Sequence, residues 1–385
     1  MSAHKEIALL LKENRDLRDA LGVVNIMAVL RAGKASVSSV TLRVVMAVVV
    51  MFNKYQMSTP SYRETKNRLA DMNWDTCRQN LSNRADKGAV QLNKLIPALN
   101  LQAGSDVNVD ETWERYQTHK GHKKTYMWCL VNKKAGIVIF FSEDCTDADG
   151  SKHEGGRRRK VLTDFLGDAK LRSLQSDGYK VYMYLDEELI DIDYLCCLAH
   201  ARAKFKKALE QGCEKARYFL LKIGSLYSRE EEYRRLDLPP DEIFKRHNDA
   251  YTDGIVEDLW KELFDLPALP ESEMSGLMRR ALNYLHSFWK QLFNYRRNGE
   301  YTIDNLAAER AIRPLTVQRK NSLFFGSTQG ALNSATYNTF IETCKQMGIS
   351  FRDYYRRVMK ELQAGRVDYE NLLPQTIGLK STNKY

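Results

Sequence analysis

The periodicity of the chain changes twice, and these two changes limit the fold more than any single motif does. Up to about residue 103 the pattern is helical. From about residue 104, short β-branched and aromatic runs take over: Val107-Asn108-Val109-Asp110, Tyr126 to Val131, Ile137 to Phe141, Leu171 to Gln175 and Asp191 to Leu198. The first three follow one another through short connections, with a turn over Asn132 to Gly136, which predicts an antiparallel meander. A helix over Val161 to Leu166 precedes the fourth. Residues 104–200 thus read as a mixed sheet with helices, an α/β layer architecture. From His200 to about Asn298 the pattern returns to helix, cut into three segments by Pro239-Pro240 and Leu266-Pro267-Ala268-Leu269-Pro270. An all-helical block therefore stands between two parts of something else.

The flanks are helical too. Leu9, Leu10, Leu17 and Leu21 recur among charges in the manner of a short coiled coil. The most apolar run, Val44 to Phe52, is nine residues long. A bilayer needs about 20, so this run reads as a buried helix and no membrane partner is expected. Residues 61–99 read as two or three short polar helices, either a DNA-binding unit or a helical support. Further helices are expected over Asp304 to Ala311 and Leu332 to Ala364, with a polar, glycine-containing stretch between them. Trp113, Trp128, Trp260 and Trp289 read as core residues.

Composition narrows the partners. Apolar residues are 43% and charged residues 28% of the 385, which excludes wholesale disorder. The net charge of +10 favours a polyanion, nucleic acid before membrane. Seven cysteines, irregularly spaced and without a C-x-x-C pair, argue against a disulfide scaffold or a four-cysteine zinc site. With a charged N-terminal stretch that does not read as a signal peptide, a cytoplasmic location is expected. No phosphate-binding glycine loop, Ser-His-Asp order or dinucleotide fingerprint is present.

Three acidic residues stand out by context. Asp110 sits at the end of one expected strand and Asp177 at the end of another, where sheet proteins place their ligands. Glu309 lies on a short expected helix beside Ala307, Ala308 and Ala311, small residues that permit close approach to a sheet. Three converging carboxylates suit Mg²⁺, and a pair of such ions about 4 Å apart suits phosphodiester cleavage. Plainer readings stand beside this one. Asp177 before Gly178 is a good turn residue, and Glu309 with Arg313 has the spacing of a surface ion pair.

Cys197 and His200, three apart, share a helical face. A zinc site needs further ligands that the neighbouring sequence does not supply, so His200 and Cys197 read as active-site support or as an ordinary capping and core pair. Basic residues cluster at Arg202, Lys204, Lys206 and Lys207, and around Glu309 at Arg310, Arg313, Arg319 and Lys320. Phosphate contact requires such clusters; a solvated helix face is the plain alternative for the first. The run Arg157 to Lys160 reads as a basic loop.

Several stretches resemble the transposases of the insertion-sequence-66 family. They are Val109-Asp110-Glu111-Thr112, Ser176-Asp177-Gly178-Tyr179, Cys197-Leu198-Ala199-His200-Ala201-Arg202 and, most specifically, Ile303-Asp304-Asn305-Leu306-Ala307-Ala308-Glu309-Arg310-Ala311-Ile312-Arg313-Pro314. The likeness continues through Arg319-Lys320-Asn321-Ser322 to Thr343-Cys344-Lys345 and covers roughly residues 40–362.

The resemblance implies a DDE transposase with a ribonuclease-H-like mixed-sheet core. Asp110, Asp177 and Glu309 would be the catalytic ligands of two Mg²⁺ ions, with Mn²⁺ able to substitute. Arg202, Lys204, Arg310, Arg313, Arg319 and Lys320 would contact DNA. Expected partners are double-stranded DNA at element ends and target, a second copy of the chain, and accessory proteins of the same element, in the cytoplasm of a bacterium. The implied layout is a helical region over 1–103, a first core part over 104–200, a helical insertion over 201–300, a second core part over 301–365 and a tail over 366–385. Such an insertion would account for the 132 positions between Asp177 and Glu309 (309 − 177). Family members usually carry a cysteine-rich zinc-binding segment near the N-terminus. This chain has no cysteine before Cys77, so that segment is expected to be absent, and Leu306 stands where a second Asn is usual. A catalytically inactive DNA-binding descendant and a structure-specific nuclease of the same fold are the alternatives.

Overall fold

The structure, a computed structural model, describes residues 48–64, 77–99, 101, 104–118, 121–143, 159–179, 182, 192–265 and 275–381. The expected coiled coil, Arg157 and Arg158 of the expected basic loop and the proline-rich break at Leu266 to Pro270 lie outside the described residues; the other two loop residues, Arg159 and Lys160, are not loop but open a helix. Helix α1 (Arg78–Asn93) precedes three strands, β1 (Ser105–Thr118), β2 (Gly121–Asn132) and β3 (Ile137–Ser142). Helix α2 (Arg159–Leu166) leads to β4 (Leu171–Ser176), and β5 (Asp193–Cys196) follows. Next come α3 (Leu198–Glu210), α4 (Ala216–Arg235), α5 (Pro240–His247), α6 (Ala250–Asp265), α7 (Gly276–Ser287) and α8 (Trp289–Phe293). The last helices are α9 (Leu306–Ser322), α10 (Thr328–Gln346) and α11 (Phe351–Gln363). Contacts divide the chain into two units, one within Met1–Leu99 and Val317–Tyr385, the other within Asn100–Thr316.

The second unit is built on a five-stranded mixed sheet of order β3-β2-β1-β4-β5. Strands β1, β2 and β3 pair antiparallel, as the meander pattern predicts, and β4 and β5 join β1 in parallel. Asn132 shapes the β2–β3 turn by accepting from the Ala135 amide at 3.0 Å. Val107 and Val109 of β1, Trp128 and Leu130 of β2, Leu174 of β4 and Tyr194 of β5 share one core. Leu162 of α2, Phe205 of α3, Phe219 of α4 and Leu285 of α7 complete it. Each such side chain, fully buried, contributes roughly 1.5–3 kcal/mol of transfer free energy.

Strand β1 is longer than its sequence suggests. It does not end at Asp110 but runs to Thr118, because pairing with β2 continues to Thr118↔Gly121. Residues 111–118 are mostly polar, and their buried members, Glu111, Glu114 and Tyr116, do not mark out an apolar strand face in the sequence.

The helical stretch after β5 has more breaks than the prolines mark. The chain also turns between α3 and α4 at Gly212, and after α5 at Asn248. Pro239 and Pro240 start α5, where a missing amide hydrogen costs nothing, with Asp241 and Glu242 in its first turn and three basic residues in its last. Trp128 is buried as expected. Trp113 and Trp260 are not core residues: 38% and 41% exposed, they lie on the outer sides of β1 and α6.

Helix α9 continues through Pro314 instead of stopping at Ala311. Burial of Ala308, Ala311, Ile312 and Leu315 along one face holds it through the proline. In the first unit, the single helix expected over Leu332 to Ala364 is two, α10 and α11. Gly348 adopts a positive φ of 66°, and the Ile349 amide bonds back to the Cys344 carbonyl, a left-handed helix stop. Ser350 then caps α11 by accepting from the Asp353 amide. Helix α10 is polar in composition yet mostly buried, because its polar groups are partnered: Asn333 donates to Asp86 and Thr336 to Asn93.

Candidate active site

The parallel pairing of β1 with β4 ends at Asn108↔Gln175. Asn108 Nδ2 donates to Gln175 Oε1 at 2.9 Å, so both side chains lie on the same face of the sheet. Asp110 and Asp177 each follow two residues later. Side chains two apart on a strand share a face, which puts Asp110 on the face of Asn108, while Asp177 lies one residue beyond β4; both half-buried acids thus come two residues after the last paired position. Asp110 is thus mid-strand in β1 but lies where β4 has run out. Its Oδ1 accepts from the Glu111 amide at 2.9 Å.

Asp177 closes β4. Its Oδ1 accepts from the Tyr179 amide at 3.0 Å, so the turn reading of this residue holds as well. Gly178 has a φ of 82°, and a Cβ there would stand 2.7 Å from Tyr284 Oη. Tyr284 of α7 donates to the Asp177 carbonyl at 2.7 Å. Burial foremost, then nearby thiols and carboxylates, pushes the Tyr284 hydroxyl above its usual range, which keeps it a neutral donor.

Asn305, fully buried just ahead of α9, joins the helix of Glu309 to the sheet. Its Nδ2 donates to the Val109 carbonyl at 2.8 Å, its Oδ1 accepts from Asn108 Nδ2 at 3.0 Å, and its amide donates to Cys197 Sγ at 3.2 Å. Thr302 hydrogen-bonds to Gln175 through its hydroxyl and its carbonyl, both at 2.7 Å. The Leu198 amide meets the Ile303 carbonyl at 3.1 Å. These bonds attach residues 302–305 to the body of β1, to the end of β4 and to the residues just after β5.

Glu309 lies one turn along. Its partners among the described residues are Cys197, whose thiol donates to Oε1 at 3.7 Å, and His200, whose Nδ1 stands 3.3 Å from the same oxygen. The His200 contact has ion-pair distance without hydrogen-bond alignment. Arg313, the partner that helical spacing suggests, is exposed and unpaired among the described residues. Potential ligand atoms of Cys197, His200 and Glu309 lie within 4.8 Å of one another. Asp110 and Asp177 are not in that cluster. Burial, reinforced by the Glu309 charge, pushes the Cys197 thiol well above its usual range, against the opposing effect of the Asn305 and His200 amides.

The basic candidates separate. Lys204 lies over the Tyr284 ring at 4.9 Å, and Arg202 over Tyr227 at 5.5 Å. Arg310 is exposed and, like Arg313, has no ion-pair partner among the described residues. Arg319 and Lys320 occupy the last turn of α9, which is counted with the first unit. Sequence reasoning missed Asn108, Gln175, Asn305 and Tyr284. The first two carry a faint signal, amide side chains spaced two before each acid; Tyr284 carries none.

A family model described as Transposase IS66 family matches residues 40–333, a span that includes Asp110, Asp177 and Glu309. The chain belongs to this family. Curated relatives include two uncharacterized proteins of Sinorhizobium fredii (strain NBRC 101917 / NGR234). One, y4qI, is 29% identical over 213 residues, which is 52% of this chain and 38% of that protein. The other, y4jD, is 25% identical over 210 residues, 52% of this chain and 40% of that protein. The matched region thus spans about two-fifths of the length of these relatives. No helix among the described residues is long and apolar enough to cross a membrane.

Proposed function

We propose that Asp110, Asp177 and Glu309 are the catalytic carboxylates of a DDE transposase with a ribonuclease-H-like core. The observation that carries this is the β1–β4 register, whose last pair, Asn108↔Gln175, comes two residues before each Asp, together with the Asn305 bond to Val109 that attaches the helix of Glu309 to β1. The sheet order, three antiparallel strands followed by two parallel ones, supports the core assignment.

The donor set fits a hard cation. Asp110 and Asp177 offer carboxylate oxygens alone, which suits Mg²⁺ or Mn²⁺. When bound, two such ions supply an activated nucleophile and neutralise the leaving oxygen. The residues of the chain orient and bind. Asn305 and Tyr284 hold the backbone on either side of the carboxylates. Arg310 and Arg313, without an ion-pair partner among the described residues, and Lys204 beside Tyr284 take phosphate oxygens. The reaction cuts one strand at an element end to leave a 3′-hydroxyl, which then attacks target DNA. One phosphodiester bond forms as another breaks, so no nucleotide is consumed. Double-stranded DNA is the substrate, and a second copy of the chain is expected on paired ends.

The test is Mn²⁺ binding by calorimetry on the intact chain and on folded Asp110→Ala, Asp177→Ala and Glu309→Ala. Weaker binding in all three supports one shared site; binding unchanged in all three removes it. With DNA, Asp177→Asn should abolish cleavage and leave binding intact. Cutting without strand-transfer products would instead assign a nuclease.

A further inference from the structure

We propose that Cys197, His200 and Glu309 form a second cation site, one for a borderline-soft divalent ion of the zinc class. The site shares Glu309 with the carboxylate reading above but does not depend on Asp110 or Asp177.

Geometry is the first reason. A tetrahedral zinc ion with ligand distances of about 2.0–2.3 Å separates its ligand atoms by roughly 3.3–3.8 Å. Cys197 Sγ and Glu309 Oε1 are 3.7 Å apart, and His200 Nδ1 and Glu309 Oε1 are 3.3 Å apart. Both edges match the tetrahedron, and one potential ligand atom from each of the three residues lies within 4.8 Å of the other two. Ordinary hydrogen bonding accounts for this poorly. The His200 Nδ1 atom is buried and makes no hydrogen bond among the described residues, although it stands 3.3 Å from a carboxylate oxygen.

Ligand chemistry is the second reason. A thiolate, an imidazole and a carboxylate suit zinc or cobalt, whereas Mg²⁺ rejects the first two. The Asn305 amide already donates to Cys197 Sγ at 3.2 Å, an outer contact of the kind that orients a metal-bound thiolate. Access is open on one side, since the His200 and Glu309 side chains are 36% and 26% exposed. Three protein ligands leave a fourth position for water or a phosphate oxygen. The missing ligand of the Cys197–His200 pair thus comes from 112 positions along the chain.

Co²⁺ is the probe, titrated into the full reduced chain. The intact protein should develop a near-ultraviolet thiolate-to-cobalt band and intense visible bands of tetrahedral cobalt, both removed by added Zn²⁺. Cys197→Ser should abolish the thiolate band, while Cys77→Ser, at an exposed cysteine, retains it. His200→Gln and Glu309→Gln should each weaken Co²⁺ binding by about tenfold or more. Absence of the band in the intact chain, or its survival in Cys197→Ser, overturns the site. Should Cys197→Ser fail to fold, unchanged Co²⁺ affinity in His200→Gln overturns it equally. Asp177→Asn separates the two readings. It should leave the cobalt band untouched, and if it also leaves Mn²⁺ binding untouched, the carboxylate reading fails while the zinc-class site stands.

Discussion

Asn305 Nδ2 donates to the Val109 carbonyl at 2.8 Å, so the start of the helix bearing Glu309 is bonded to β1 one residue before Asp110. Neither residue has a side chain suited to chemistry on phosphate. Their bond nonetheless ties the start of the Glu309 helix to the sheet.

Asn305→Ala should therefore act on stability and on metal affinity together. It leaves the Val109 carbonyl without this donor and removes an acceptor of Asn108, both inside the protein. Each buried polar group left unsatisfied costs about 1–3 kcal/mol. The urea midpoint should fall, and Mn²⁺ affinity should fall with it in the fraction that remains folded. A lower midpoint with unchanged Mn²⁺ affinity would make Asn305 structural only.

Tyr284→Phe removes one hydroxyl and its bond to the Asp177 carbonyl. The expected stability loss is about 1 kcal/mol. If Tyr284 positions the Asp177 turn, Mn²⁺ affinity should drop while Co²⁺ affinity holds. Gly178→Ala should be worse, by roughly 1–3 kcal/mol, since it strains a positive φ and meets the Tyr284 hydroxyl.

Glu342 predicts a pH dependence in the first unit. Burial raises its carboxyl above the ordinary value of 4.5, against the opposing charge of Lys345, whose Nζ is 2.5 Å away. The folded state therefore holds this proton more tightly than the unfolded chain does. Glu342 costs stability once pH exceeds the unfolded value, and the cost is complete above the folded one. Glu342→Gln should raise the urea midpoint at neutral pH, and the gain should shrink as pH falls toward 4.5. A gain independent of pH would remove this explanation.

Arg310 and Arg313 test the DNA contact. Each phosphate they neutralise adds about 0.9 to the salt slope of duplex binding. Arg310→Ala and Arg313→Ala should each flatten the plot of log K against log salt by about one unit. An unchanged slope in both would place the DNA elsewhere.

Much of the sheet is legible from residue pattern. Val107, Val109, Trp128, Leu130 and Leu174 alternate or cluster as strand residues do, and all point into the core. The mixed sheet of the α/β expectation is present. Where local pattern misleads, neighbours explain it. Polar residues 111–118 extend β1 because β2 supplies their partners. Pro314 fails to end α9 because apolar residues on its inner face stay buried. Trp113 and Trp260 read as core from their type alone, and type does not say which side of an element faces water.

The sequence alone determined where the strand-rich and helix-rich regions lie, though not where each element ends, together with the family and the three acids worth testing. Periodicity and motif are local properties, written within a few residues of one another. Tertiary structure decided that Asn108 pairs with Gln175 two residues before Asp110 and Asp177, that Asn305 and Tyr284 bond to the Val109 and Asp177 carbonyls, and that Cys197 and His200 meet Glu309. Those neighbours come from strand register and from chain returns over more than a hundred residues, and no spacing along the chain encodes them.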